Sequence, residues 1–176
     1  MKPIHEQPMI GIDPDSDKCG VAIYRPEPNT MQLINMTPVE LMEWLNKFHS
    51  EEGIRKVYIE ASHKTTSNWH TCSHDKPSVA AKKGYDVGLC HEVGILLVDH
   101  CRHYNIPFEE VLPLAKIWGG KDRKCRHEDL LRALSPRHIA LCCPNMTRSN
   151  QELRDAALLI LGHVREYDLD KPESHG

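Results

Sequence analysis

Short apolar runs separated by turn residues open the chain. Met9-Ile-Gly-Ile-Asp13 is apolar until its last residue and predicts a strand. Pro14-Asp-Ser-Asp17 reads as a turn, and Cys19–Arg25 is a second run rich in β-formers. Residues 26–30 turn again, and 31–36 predict a third strand. Three strands on short connections predict an antiparallel meander. The period then changes. Thr37-Pro38 with Glu40 places Thr at an N-cap, Pro at the first helical position and Glu at the third. Leu41, Trp44, Leu45 and Phe48 follow at helical spacing to about His49, and Gly53 stops the helix. Lys56–Glu60 predicts another strand that ends in an acid.

Residues 61–83 are polar and too long for an ordinary connection, so they predict a functional or mobile segment. A long helix is predicted over 85–104, with Val87, Cys90, Val93, Gly94, Leu97, Val98 and Cys101 on its apolar side. A strand over 108–112, a Gly-containing loop over 114–123 and a helix over 124–134 come next. A last helix over 150–167 precedes a frayed tail, 168–176. The order β-β-β-α-β-α-β-α-α predicts an α/β fold. Its mixed sheet has an antiparallel meander, then parallel strands, with helices on both faces.

The chain has 176 residues, which suits one domain over 1–176 with a core at about 9–167. It is 40% apolar and 27% charged, excluding collagen-like, mucin-like and disordered classes. The apolar runs 93–98 and 156–161 are too short to span a bilayer, and the first residues lack a signal-peptide pattern. The expectation is an intracellular, cytoplasmic protein with no membrane partner. Seven cysteines without a C-x-x-C pair fit a reducing compartment. The net charge of −3 is unevenly spread. Residues 114–148 carry eight basic residues against three acids, and 61–83 carry four lysines against one. Such local basic surfaces attract polyanions.

The acids carry the candidate chemistry. Asp13 and Glu60 each end a predicted strand. Glu152 and Asp155, three apart at the start of the last helix, share one face. If the two strands are neighbours, all four acids can converge at one end of the sheet. Clustered carboxylates raise one another's pKa, and an all-oxygen donor set suits Mg²⁺ or Mn²⁺. Two such ions about 4 Å apart activate a water and stabilise the leaving oxygen in phosphodiester cleavage. Acids at strand ends, or in a helix's first turn, also have plain structural uses. The conjunction of four is what points to a site.

That conjunction resembles a known pattern. Gly11-Ile-Asp-Pro-Asp-Ser-Asp-Lys-Cys-Gly20 is similar to the first motif of the RuvC family of Holliday-junction resolvases, within the RNase H-like superfamily. Ile59-Glu60 resembles its second acid, and Val87-Gly-Leu-Cys-His-Glu-Val-Gly94 the start of its long helix. Lys116, with Lys124 at the start of the next helix, resembles its paired lysines. Glu152-Leu-Arg-Asp155 with His163 resembles its last motif. The likeness runs from about Ile10 to His163. Three departures stand out: Asp15 for a usual Gly, Glu152 for a usual Asp, and a longer 61–83 segment. The first two bear on metal geometry and the third on substrate choice.

The resemblance implies an RNase H-like fold and a crossover junction endodeoxyribonuclease. Asp13, Glu60, Glu152 and Asp155 would bind two Mg²⁺ ions, Mn²⁺ being a possible substitute, that ready a water for attack on a DNA phosphate. Lys116 and Lys124 would hold phosphate or stabilise developing charge. Two copies of the chain would cut a four-way junction, meeting along 87–101, where Gly94 and Cys90 permit close packing. Lys64, Trp69, Lys82, Lys83, Lys116, Lys121, Arg123, Lys124 and Arg126 are the candidate DNA contacts, with Trp69 suited to stacking on an unpaired base.

Other readings compete. Asp13 and Asp15 also fit the D-x-D of a haloacid-dehalogenase-like phosphatase, whose first strand leads towards a helix. A non-catalytic DNA-binding module, or a nuclease for other branched DNA or RNA–DNA hybrids, would share the fold. His70-Thr-Cys72-Ser-His74 has soft-metal character but lacks a fourth zinc ligand nearby in sequence. Asp13-x-Asp15-x-Asp17 fails as a calcium loop, because Lys18 and Tyr24 replace the required Gly and Glu.

Overall fold

A computed structural model describes residues 2–65, 74–115, 117–119, 122–142 and 148–164. Its strands are β1 (Met9–Asp13), β2 (Cys19–Arg25), β3 (Thr30–Met36), β4 (Lys56–Glu60), β5 (Phe108–Val111) and β6 (Ala140–Cys142). Its α-helices are α1 (Pro38–Glu51), α2 (Pro77–His103), α3 (His127–Leu134) and α4 (Gln151–Leu161). The sheet order is β5-β4-β1-β2-β3-β6. β1, β2 and β3 form the antiparallel meander, whereas β4 joins β1, β5 joins β4 and β6 joins β3 in parallel.

Strand alternation divides the core in two. Ile10, Ile12, Val21, Ile23, Val57 and Ile59 face one side, under Leu41, Leu45 and Phe48 of α1 and Val93, Leu97 and Val98 of α2. Met9, Ala22, Tyr24, Leu33 and Tyr58 face the other, under Leu130 and Leu134 of α3 and Leu153, Ala156, Ala157 and Ile160 of α4. The mixed sheet with helices on both faces is therefore as the hydrophobic pattern predicts. Among the described residues, no helix is long and apolar enough to cross a membrane. Cys19, Cys90, Cys101, Cys125 and Cys142 are free thiols.

Several boundaries differ from the sequence reading. Helix α2 begins at Pro77, not 85, because Pro77 occupies a first-turn position and the residues behind it continue the helix. Lys82 and Lys83 therefore lie on a helix. Helix α3 begins at His127, not 124. Arg123 adopts a left-handed backbone (φ 54°), and the Asp129 carboxylate accepts from the Arg126 backbone N–H at 3.0 Å, fixing the start there. Lys124 thus precedes the helix. Strand β5 stops at Val111, and β6, absent from the sequence reading, is a three-residue strand at the sheet edge. Helix α4 runs to Leu161, and the predicted extension over 165–167 and the tail 168–176 lie outside the described residues.

Helix α1 starts as its sequence dictates. The Glu40 backbone N–H donates to Thr37 Oγ1 at 3.3 Å, and the Glu40 carboxylate accepts from the Thr37 backbone N–H at 2.9 Å. Both are helix-end donors that would otherwise lack a partner. Thr37→Ala should lower Tm by about 2–4 °C, read by circular dichroism; an unchanged Tm would mean the cap contributes nothing to the fold.

Candidate active site

The site is set by strand parity. Asp13 shares its face of β1 with Met9 and Gly11, and Glu60 shares its face of β4 with Tyr58, both on the α4 side. Ile12 pairs with Ile59, so the next residues, Asp13 and Glu60, end adjacent parallel strands. Across β1, Asp13 pairs with Gly20. Helix α4 lies close against this corner because two glycines make room. A methyl group on Gly20 would fall on the Glu152 carbonyl and stand 2.8 Å from Leu153 N. One on Gly11 would fall on the Ala156 carbonyl and stand 3.0 Å from Ile160 Cγ1. Asn150 caps α4, its side chain accepting from Leu153 N–H at 3.0 Å. The first turns of α4 carry Glu152 and Asp155 to this corner.

The electrostatics report the convergence. Asp13 is held well above the usual carboxylate range, first by burial, then by the charges of Glu60, Asp155, Glu152 and Asp15. Asp15 is a nearby acid that the sequence reading did not assign to the site. Its Oδ1 accepts from the backbone N–H groups of Asp17 (2.8 Å) and Lys18 (3.3 Å), the turn-forming use that suits Asp at this position. Its Oδ2 faces Cys90 Sγ at 3.7 Å. Among the described residues, no group of three or more His, Cys, Asp or Glu side chains is arranged to hold a metal ion. The donors are nonetheless carboxylate oxygens whose mutual repulsion a hard divalent cation relieves, so the residues fit Mg²⁺ or Mn²⁺ in chemistry.

The basic residues separate into two groups. Arg123, Lys124 and Arg126 are exposed on the segment before α3. That segment reaches the acids: the Cys125 thiol is pushed up to about 11 by burial, with Asp129 and Asp155 adding to the shift and Arg154 opposing it. Among the described residues, the other three candidate lysines are already engaged by acids. Lys64 pairs with Glu110 (3.0 Å), Lys82 with Asp86 (3.0 Å) and Lys83 with Asp75 (2.8 Å). Lys116, Lys121, Trp69 and the residues 70–72 of the His/Cys cluster lie outside the described residues. Gly94 and Cys90 do not offer close packing to a second chain. Gly94 is buried against Pro14, His63 and Glu60, and Cys90 faces Asp15, because they lie on the face of α2 that covers the sheet. The exposed apolar residues of α2 are Val79, Tyr85, Leu89, Ile95 and Leu96.

Gln151 and Arg154 were also not singled out from sequence. Gln151 Nε2 donates to Asp155 Oδ1 at 2.7 Å, and Arg154 contacts Gln151 and two backbone carbonyls. The i, i+4 spacing of Gln151 and Asp155 on a helix was the available signal.

The fold is that of RuvC-type, RNase H-like proteins. Thermus thermophilus RuvC in complex with a Holliday junction substrate aligns over 94% of this chain and 97% of its own, with a TM-score of 0.52 and 14% identity. The yeast mitochondrial Holliday junction resolvase Ydc2 aligns over 95% of this chain and 83% of its own, with a TM-score of 0.47 and 11% identity. The sequence matches no family model and no curated protein. The dehalogenase-like alternative needs β1 to lead towards a helix; here β1 turns back into β2 as an antiparallel hairpin.

Proposed function

We propose that the chain is a Mg²⁺-dependent endonuclease that cleaves four-way DNA junctions. The observation that carries this reading is the convergence of Asp13, Glu60, Glu152 and Asp155 on one corner of an RNase H-like sheet. Asp13 and Glu60 come from paired strands, and Glu152 and Asp155 from a helix packed on them. All four are therefore held by rigid elements, as a metal site requires. These carboxylates would hold up to two Mg²⁺ ions, with Mn²⁺ as substitute. A bound divalent cation supplies a water of lowered pKa and charge neutralisation at the phosphate. The chain's own part is to gather the anionic ligands and to orient them. Arg123, Lys124 and Arg126 supply phosphate contacts beside them, and such contacts dominate DNA affinity.

Cutting both strands of a junction takes two sites. The reading therefore includes a homodimer, with the exposed stripe Tyr85, Leu89 and Leu96 of α2 meeting a second copy. The likeness to a RuvC structure that holds a Holliday junction supports branched DNA as the partner.

The test is cleavage of a labelled four-way junction in Mg²⁺, beside matched linear duplex, flap and RNA–DNA hybrid. Paired nicks at the junction alone are expected. Cutting of another substrate would keep the metal site and replace the junction. Tight junction binding without any cutting would replace the enzyme with a DNA-binding module.

A further inference from the structure

The carboxylate Asp155 is held by a relay that begins in the basic segment. Arg154 Nε donates to the Cys125 carbonyl at 2.8 Å, and one terminal nitrogen donates to the Ser149 carbonyl. Its other terminal nitrogen donates to Gln151 Oε1 at 3.1 Å. Gln151 Nε2 then donates to Asp155 Oδ1 at 2.7 Å. The chemistry permits only one direction for the Gln151 amide. A guanidinium is donor-only, so the Gln151 oxygen must face Arg154, which leaves the amide nitrogen to face Asp155. Ser149 is itself pinned. It is buried, and its backbone N–H donates to His127 Nδ1 at 3.3 Å. The fork of Arg154 thus spans the segment before α3, the entry to α4 and the side chain that orients Asp155.

We propose that Arg154 and Gln151 are positioning residues that fix Asp155 for metal binding and register it against the phosphate-binding segment 122–126. The inference rests on the metal-dependent reading above. An arginine–glutamine relay is suited to the task because each member has one hydrogen-bonding role and one geometry. Removing such an outer partner of a metal ligand typically weakens metal affinity by about 10–100-fold.

The test uses the full chain and measures two quantities. One is Mn²⁺ binding without DNA, followed by the electron paramagnetic resonance of free Mn²⁺. The other is the Mg²⁺ concentration for half-maximal junction cutting. In Gln151→Met both constants should rise by about tenfold, with junction binding in EDTA unchanged. Arg154→Lys keeps the charge but not the fork, and should shift both constants in the same direction. The double variant should exceed the larger single shift by no more than about twofold, because both residues act through one relay. Shifts that multiply would overturn the relay, as would a lower Tm with unchanged metal affinity. Should Gln151→Met lose its fold by circular dichroism, Gln151→Asn shortens the arm but keeps the amide, and carries the same expectation. A wild type that neither binds Mn²⁺ nor cuts would overturn the nuclease reading itself. A wild type that does both, with Gln151→Met identical to it, would overturn only the positioning role.

Discussion

Asp13→Asn should cut a four-way junction at least about a thousandfold more slowly than the wild type, yet unfold at a higher temperature in EDTA. The first effect follows from losing an anionic ligand at the centre of the carboxylate cluster. Metal-assisted charge stabilisation amounts to several kcal/mol, and about 4 kcal/mol is a thousandfold in rate. The second follows from the shift on Asp13, raised by burial and then by Glu60, Asp155, Glu152 and Asp15. An acid whose pKa is raised on folding favours the native state below its unfolded pKa. That contribution is lost as pH rises through the folded value. The metal-free wild type should therefore lose stability from the ordinary carboxylate range upward through the elevated pKa of Asp13. The neutral variant should show a smaller loss. Thermal unfolding in EDTA across that range, beside cleavage in Mg²⁺, reads both. Retained cutting would remove Asp13 from the site. A Tm below the wild type's at every pH would mean that its carboxylate supports the apo fold.

Gly20→Ala should damage both stability and activity. The added methyl would meet only backbone, the Glu152 carbonyl and Leu153 N at 2.8 Å, so no rotamer change can relieve it. Either α4 lifts or β2 bends. Overpacking of this kind costs about 1–3 kcal/mol, or a Tm lowered by roughly 2–12 °C for a chain of this size. Lifting α4 also moves Glu152 and Asp155 away from Asp13 and Glu60, and a shift of about 1 Å can cost a hundredfold in rate. Calorimetry and the same cleavage assay read the two effects. A variant with wild-type Tm and rate would show that α4 does not need this notch.

Much of the architecture was legible because its signals are local. Apolar runs broken by Pro, Asp and Asn turns marked β1, β2 and β3. The Thr37-Pro38-Glu40 signature marked the start of α1, and the 3.6-residue spacing of Val93, Leu97, Val98 and Cys101 marked the buried face of α2. Strand β6 escaped because three residues at an edge leave no period to read, and its pairing with β3 is non-local. The start of α2 escaped because its first residues bury no core-facing stripe, so no helical period marks them. All five described residues from Pro77 to Ala81 are at least partly exposed. Lys64, Lys82 and Lys83 read as free cations in sequence. The structure instead gives each an acidic partner, and Glu110 is far from Lys64 along the chain.

By itself, the sequence determined which residues end strands in an acid, and which two acids share a helix face. Alternation and helical period are properties of neighbouring residues, and they survive without a fold. Only the tertiary structure decided that the two pairs of acids meet. That meeting depends on β4 docking in parallel beside β1 at a register that sets Glu60 next to Asp13. It depends equally on α4 settling over Gly11 and Gly20. In a linear reading those glycines look like weak points in two strands. In three dimensions their missing side chains let a helix backbone approach the sheet, and this brings Glu152 and Asp155 to the corner where Asp13 and Glu60 end.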